Sequence, residues 1–235
     1  MMTPSEQDSL KRTAAEAAAK LIEDGMVVGL GSGSTAALFV DVLARRISEG
    51  RLRIIGIPTS LHTEQQARNL KIPLGTFAQH AQIDLTVDGA DEVLPGPLFL
   101  IKGHGGALLR EKIVASISKR MAVVADESKL VDRIGSLVPV PVEIVPFGWE
   151  TTERKLRDLG ANPSLRLNGN NTPYVTDGGH YIMNCAFGPI ENPQEVAQRI
   201  DHVVGVVEHG LFLGFATEAI IAARAGVQIL LRGST

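Results

Sequence analysis

The chain is poor in aromatic side chains: Phe, Trp and Tyr make up 4% of its 235 residues. Binding single-stranded nucleic acid without sequence preference relies on stacking bases over such rings, so that class of function is disfavoured. Charge of one sign is also scarce. A net charge of −3 provides no broad field for DNA or an anionic membrane, although a local basic pocket for a small anion stays open. A single cysteine, Cys185, rules out an intrachain disulfide and fits a reducing cytosol. It reads as a small hydrophobe rather than a nucleophile. No run reaches the roughly 18 apolar residues of a membrane span. The opening stretch MMTPSEQDSLKRTAAEAAAK lacks the apolar core of a signal peptide. These absences predict a cytoplasmic protein with neither nucleic acid nor membrane as partner.

What is present is an alternation of short apolar runs with helical patterns. SLKRTAAEAAAKLIEDG is an Ala-rich helix that Gly25 is expected to stop. STAALFVDVLARRISEG, LHTEQQARNL and ALLREKIVASISK follow as helices. Between them MVVGL, RIIGI, IDLTV, LFLIK and MAVVA read as buried strands. This order predicts a parallel sheet covered on both faces. The texture changes near Asp132. SLVPVPVEIVP carries three prolines and predicts an edge strand or a domain crossing. Beyond it the order is strand, helix, strand, strand, helix, strand, the split pattern of a ferredoxin-like unit. ATEAIIAARAGVQILLR adds two strands that rejoin the first sheet. The expected fold is therefore α/β: a Rossmann-like, doubly wound, mostly parallel sheet with an inserted smaller α+β domain. The main domain is expected over 1–131 and 208–235, the smaller one over 132–207.

Four loops carry polar groups. GLGSGSTA lies between a strand and a helix, where glycines and the first helical amides can cradle an anion. The dinucleotide fingerprint fails, because Ser34 or Ala36 stands where its last glycine belongs. The P-loop fails for want of a lysine. A generic anion site built on the hydroxyls of Ser32, Ser34 and Thr35 remains, beside the alternative of an ordinary turn. GIPTSLH offers Thr59 and Ser60, the latter also a helix cap. TVDGADEV supplies Asp88, Asp91 and Glu92 after a buried strand, as proton carriers, hydroxyl holders, or merely turn and cap residues. IKGHGGALLREK sets Lys102, a flexible turn and Glu111 close together. ADESKL adds Lys129. No pair of cysteines and no H-E-x-x-H occurs, so no metal site is expected. Because strands of a parallel sheet share one carboxyl edge, these loops are expected to meet in one ligand site.

GLGSGSTA, PTS, VDGADEV, IKGHGGALLREKIVA, ADESKLV, VPVEIVP, VTDGG and GLF stand in the order found in type A ribose-5-phosphate isomerases, and the chain resembles that family over nearly its whole length. The resemblance implies an aldose–ketose isomerase without a cofactor. It would interconvert ribose 5-phosphate and ribulose 5-phosphate through an enediolate, in the non-oxidative branch of the pentose phosphate pathway. Glu111 would be the base. Asp88, Asp91 and Lys102 would open the sugar ring, hold hydroxyls and stabilise the oxyanion. Gly31, Ser32, Gly33, Ser34, Thr35, Gly103, Gly105 and Lys129 would contact the sugar phosphate. A homodimer or homotetramer is implied. Two positions depart from the family: His104 where glycine is usual, and Ser32 where threonine is common. His104 is expected to face solvent. Lys102 is expected to point at a substrate oxygen and away from Glu111, since a nearby cation would weaken the base. The alternatives left beside this reading are a sugar-phosphate-sensing module, an acyl-CoA transferase relative and an isomerase for another sugar phosphate.

Overall fold

A computed structural model describes residues 3–233. Helix α1 (Pro4–Ala19) starts earlier than its alanines indicate, because Thr3 and Glu6 form a reciprocal capping box and Pro4 opens the first turn. It also ends before Gly25. The Arg46 guanidinium donates to the carbonyls of Ala19 and Ile22, satisfying the helix end while Ile22 turns into the core.

The first sheet has six strands: β1 (Val27–Leu30), β2 (Ile55–Pro58), β3 (Ile83–Gly89), β6 (Ser118–Asp126), β12 (Glu218–Ala223) and β13 (Gly226–Leu231). Their order is β13-β12-β6-β3-β1-β2, parallel throughout except for the hairpin of β12 with β13. Alternate residues of β6 feed opposite cores. Ala122 and Val124 pack with α1 and α2 (Ser34–Ser48), while Met121, Val123 and Ala125 pack on the other face. That two-sided burial is why the strand reads as a continuous apolar run. Helix α3 (Leu61–Asn69) follows β2, capped by Ser60, whose Oγ accepts from the Thr63 amide at 3.0 Å.

A second sheet has four strands: β7 (Val140–Ile144), β8 (Asn162–Leu165), β9 (Tyr181–Ala186) and β10 (Val206–His209), in the order β10-β7-β9-β8. With α5 (Trp149–Asp158) and α6 (Pro193–Asp201) it completes the ferredoxin-like pattern. The prolines mislead on the place of β7. It is an interior strand, paired with β9 on one side and β10 on the other, and it begins where the chain passes from the first sheet to the second. Pro141 has no amide to donate, but its carbonyl accepts from the Gly210 amide at 2.7 Å. Cys185 is fully buried in this core. Burial pushes its thiol up to about 12, which removes it as a nucleophile near neutral pH.

The run LFLIK is also placed differently from its sequence reading. Its strand β5 (Phe99–Ile101) is not in the parallel sheet. It lies between β4 (Glu92–Leu94) and β11 (Leu211–Phe212) in a three-stranded antiparallel sheet. The period-two alternation of this patch gives each face to a different core. Leu100 and Phe212 join the core beneath the first sheet, whereas Ile101 and Leu211 join the core of the second. Helix α4 (Leu108–Ser116) follows β5 and returns the chain to β6. No helix among the described residues is long and apolar enough to cross a membrane.

Candidate active site

Three carboxyl ends of the parallel sheet and the end of β5 converge on one cavity of about 290 Å³. The β1 end contributes Ser32, Gly33, Ser34 and Thr35, and the β3 end Gly89, Ala90 and Asp91. The β6 end contributes Asp126 and Lys129, and the β5 turn contributes Lys102, Gly103 and Gly105, with Glu111 one helical turn on.

Lys102 lies at the floor, 2% exposed. Its Nζ donates to the Gly89 carbonyl at 2.6 Å and stands 3.0 Å from Asp88 Oδ2 and 3.2 Å from Glu111 Oε2. Lys102 and Glu111 are therefore paired here, whereas the expectation that Lys102 turn to a substrate oxygen concerns the sugar-bound state. Neither of those carboxylate oxygens has a well-directed hydrogen bond, so the contacts are ionic in character. Burial alone would lower the Lys102 pKa, but the charges of Asp88 and Glu111 outweigh it and the net shift is upward, so the ammonium persists. Glu111 also shifts upward, which for an acid disfavours the charged form. Burial is the largest cause; Lys102 pulls its pKa down and Asp88 pushes it up, leaving it raised to about 7. One cation shared among carboxylates explains the asymmetry. Lys102 is attracted by all of them, whereas Glu111 competes with Asp88 for a single counter-ion.

Asp88 does not border the cavity. It is fully buried behind Lys102, with Oδ1 accepting from the amides of Ser32 at 2.9 Å and Gly89 at 2.8 Å. That arrangement needs Gly31, because a Cβ there would lie 2.5 Å from the Asp88 Cα. Asp91 does face the cavity, and its Oδ2 accepts from the His104 amide at 3.1 Å. Glu92, which follows it, points elsewhere. Fully buried, it accepts from the amides of Gly135, Leu137 and Val138 and ties down the crossing into the second sheet.

Gly33 is the N-cap of α2 and offers no side chain, so the first amides of that helix carry no side-chain cap beside the hydroxyls of Ser34 and Thr35. Ser32 Oγ pairs with Thr59 Oγ1 at 2.7 Å, so Thr59 braces this loop rather than lining the cavity. Lys129 sits on a short 3₁₀ turn (Glu127–Lys129) capped by Asp126, whose Oδ1 accepts from the Ser128 amide at 3.0 Å. His104 does not face solvent. The ring is half-buried, with Nε2 3.0 Å from the Pro139 carbonyl.

Sequence reasoning missed Gln7 and Lys11, which line the cavity from α1. Their i, i+4 spacing places them on one face of an otherwise Ala-rich helix, and two long polar side chains on that face were the available signal.

Comparison with known proteins agrees with this geometry. Residues 55–226 match the family model described as ribose 5-phosphate isomerase A (phosphoriboisomerase A). A ribose-5-phosphate isomerase A of Gloeobacter violaceus is 55% identical over 223 residues, covering 95% of this chain and 96% of the relative. The solved structure of ribose 5-phosphate isomerase A from Methanocaldococcus jannaschii is 40% identical, with a TM-score of 0.92 over 96% of this chain and 99% of its own. A D-ribose-5-phosphate isomerase in complex with phospho-erythronic acid is 38% identical, with a TM-score of 0.93 and coverage of 96% and 99%. Identity at this level along nearly the full length, together with the same fold, makes the chain a member of the ribose 5-phosphate isomerase A family.

Proposed function

We infer that this chain interconverts D-ribose 5-phosphate and D-ribulose 5-phosphate as an aldose–ketose isomerase, with Glu111 as the base. The observation that carries the reading is a buried glutamate whose pKa is raised to about 7, 3.2 Å from an ammonium at the floor of a polar cavity. A base with a pKa near the working pH takes and returns a proton efficiently. In the open-chain sugar, Glu111 takes the proton from C2 and charge develops on the C1 oxygen. The same group returns the proton to C1, while the C2 hydroxyl proton passes to the C1 oxygen, leaving a ketone at C2 and a hydroxyl at C1. Lys102 stabilises the enediolate oxygen, moving part of its attraction from Glu111 to the substrate as the carboxylate becomes protonated. Asp91 faces the sugar and handles the hydroxyl and ring-oxygen protons. Asp88 works from behind, holding Lys102 and the Ser32 turn together.

The phosphate end of the cavity is assigned to Ser32, Gly33, Ser34 and Thr35, with Lys129 opposite. Lys11 supports this end because it supplies a second cation there. Uncapped amides at a helix start suit a phosphate. The same reading includes the cytoplasm as compartment, a homodimer or homotetramer as assembly, no nucleic-acid or membrane partner, and a division of the chain into 1–131 with 208–235 and 132–207. The separate four-stranded sheet supports a smaller unit of this kind, although its last strand runs to His209, two residues past the 207 boundary.

The test is exchange with solvent. Ribose 5-phosphate incubated with the protein in D₂O, recovered before equilibrium and examined by NMR, is expected to carry deuterium at C2. Ribulose formation without any C2 label in recovered aldose, together with full turnover of Glu111→Gln, would refute Glu111 as an exchangeable base.

A further inference from the structure

The 103–106 turn is gripped from outside by a residue that no part of the reading above uses. Arg166, just past β8, is half-buried, and burial lowers its pKa. Among the described residues no carboxylate lies within ion-pair distance of it. Its hydrogen bonds go to three neutral acceptors instead: the carbonyls of Gly103 at 3.3 Å and His104 at 3.0 Å, and Asn184 Oδ1 at 2.7 Å. The guanidinium also sits 5.9 Å from the centre of the Tyr174 ring. Tyr174 in turn fills the space beside Gly106, where a Cβ would meet the ring Cζ at 2.6 Å. Asp91 attracts it only from beyond ion-pair distance and burial outweighs that attraction, so holding the cation here has a cost that is set against what it orients.

Peptide planarity says what that is. The described chain has no cis peptide bond, so each carbonyl points opposite to the amide that follows it. With the Gly103 carbonyl turned to Arg166, the His104 amide points away from it, and it is found donating to Asp91. With the His104 carbonyl turned to Arg166, the Gly105 amide must also face away from Arg166. Gly105 lines the cavity with Lys102 and Glu111, and among the described residues its amide donates to no protein acceptor. We propose that Arg166 is a positioning residue: it locks the 103–105 peptides so that the Gly105 N–H is held ready for the oxygen that becomes charged as the proton leaves carbon. The turn is closed on itself by the Gly106 amide, which donates to the Gly103 carbonyl at 3.0 Å. That bond leaves the next peptide free to rotate; the guanidinium fixes it through the His104 carbonyl and polarises both peptide units.

This inference rests on the assignment of Glu111 and Lys102 and can fail separately from it. The test is Arg166→Gln, with circular dichroism and thermal melting to establish folding. It compares kcat, the Kd for ribose 5-phosphate and the Kd for phospho-erythronic acid, whose carboxylate resembles the planar, charged enediolate. The expected result is a fall of about tenfold or more in kcat, part of the roughly 10²–10³-fold effect of losing an oxyanion donor outright. Affinity for phospho-erythronic acid should fall in parallel while that for ribose 5-phosphate changes less than about twofold. Arg166→Lys keeps a cation but loses the planar fork, in which Nη1 donates to both carbonyls while Nη2 is anchored on Asn184, and is expected to fall between wild type and the Gln variant. It carries the test if the Gln variant does not fold. A folded variant with unchanged kcat, or one that weakens substrate and phospho-erythronic acid equally, would overturn the proposal. Full activity in Glu111→Gln would instead remove the underlying assignment, whatever Arg166 does.

Discussion

The two walls of the cavity are built on opposite principles. One wall is the carboxyl edge of a parallel sheet, where the ends of β1, β3 and β6 deliver Ser32, Ser34, Thr35, Asp91 and Lys129. The other is a three-stranded antiparallel patch and the helix after it, which deliver Lys102 and Glu111. The first wall is half-exposed and rich in hydroxyls and amides. The second is buried and carries the pair whose pKa values move in response to each other. The contrast separates two tasks. Holding an anion needs many modest donors that stay wet. Moving a proton needs few groups in a dry place, where burial and one neighbouring charge set the pKa.

The strongest way to break this contrast is Glu111→Gln. It is expected to reduce kcat by about 10²–10⁴-fold, the range for a positioned general base, while calorimetry shows ribose 5-phosphate still bound. The wild-type pH profile belongs with it. The ionised carboxylate is the active form, so kcat/KM should climb with pH and reach half its plateau near 7. The sign for stability is opposite. The folded pKa lies above the ordinary value of 4.5, so stability present below about 4.5 is lost as pH rises toward 7. Urea midpoints should show this slope in the wild type and not in Glu111→Gln.

Lys102→Ala comes next, with an expected loss of about 10²–10³-fold in kcat and a smaller change in substrate affinity. The cation that pulls Glu111 down is then gone, so the pH–rate midpoint should move upward. A midpoint that stays near 7 would show that Lys102 does not tune the base. On the other wall, Ser34→Ala is expected to raise KM roughly tenfold, the cost of about 1.5 kcal/mol for one hydrogen bond to a charged group, with kcat nearly unchanged. A collapse of kcat there would erase the division of labour between the walls.

The sequence reveals the parallel wall well, because strand–loop–helix alternation locates carboxyl ends directly. Ser60 as a cap and the loop of Ser34 and Thr35 stand where that rule puts them. Lys102 reaches the same cavity, but not by the rule. Its strand pairs antiparallel with β4 and β11, and β11 lies over a hundred residues later in the chain, so no local pattern signals the pairing. The prolines of β7 point to an edge because sequence shows the lost donor but not the partner strands on both sides. Glu92 and Asp91 are neighbours in sequence, and only the pleat distinguishes them, sending one into the crossing segment and the other into the cavity. His104 looks like an exposed turn residue because its acceptor, Pro139, belongs to a segment read as remote.

The pairing of Ile101 with Leu211 and of Leu100 with Phe212 also fixes a direction. A slip of one residue would exchange the inward and outward sides of β5 and leave the next side chain, Lys102, aimed at the wrong half of the molecule. The two-residue strand β11 is therefore a compass for the ammonium: its few backbone bonds decide where the positive charge looks, although none of its own side chains borders the sugar's cavity.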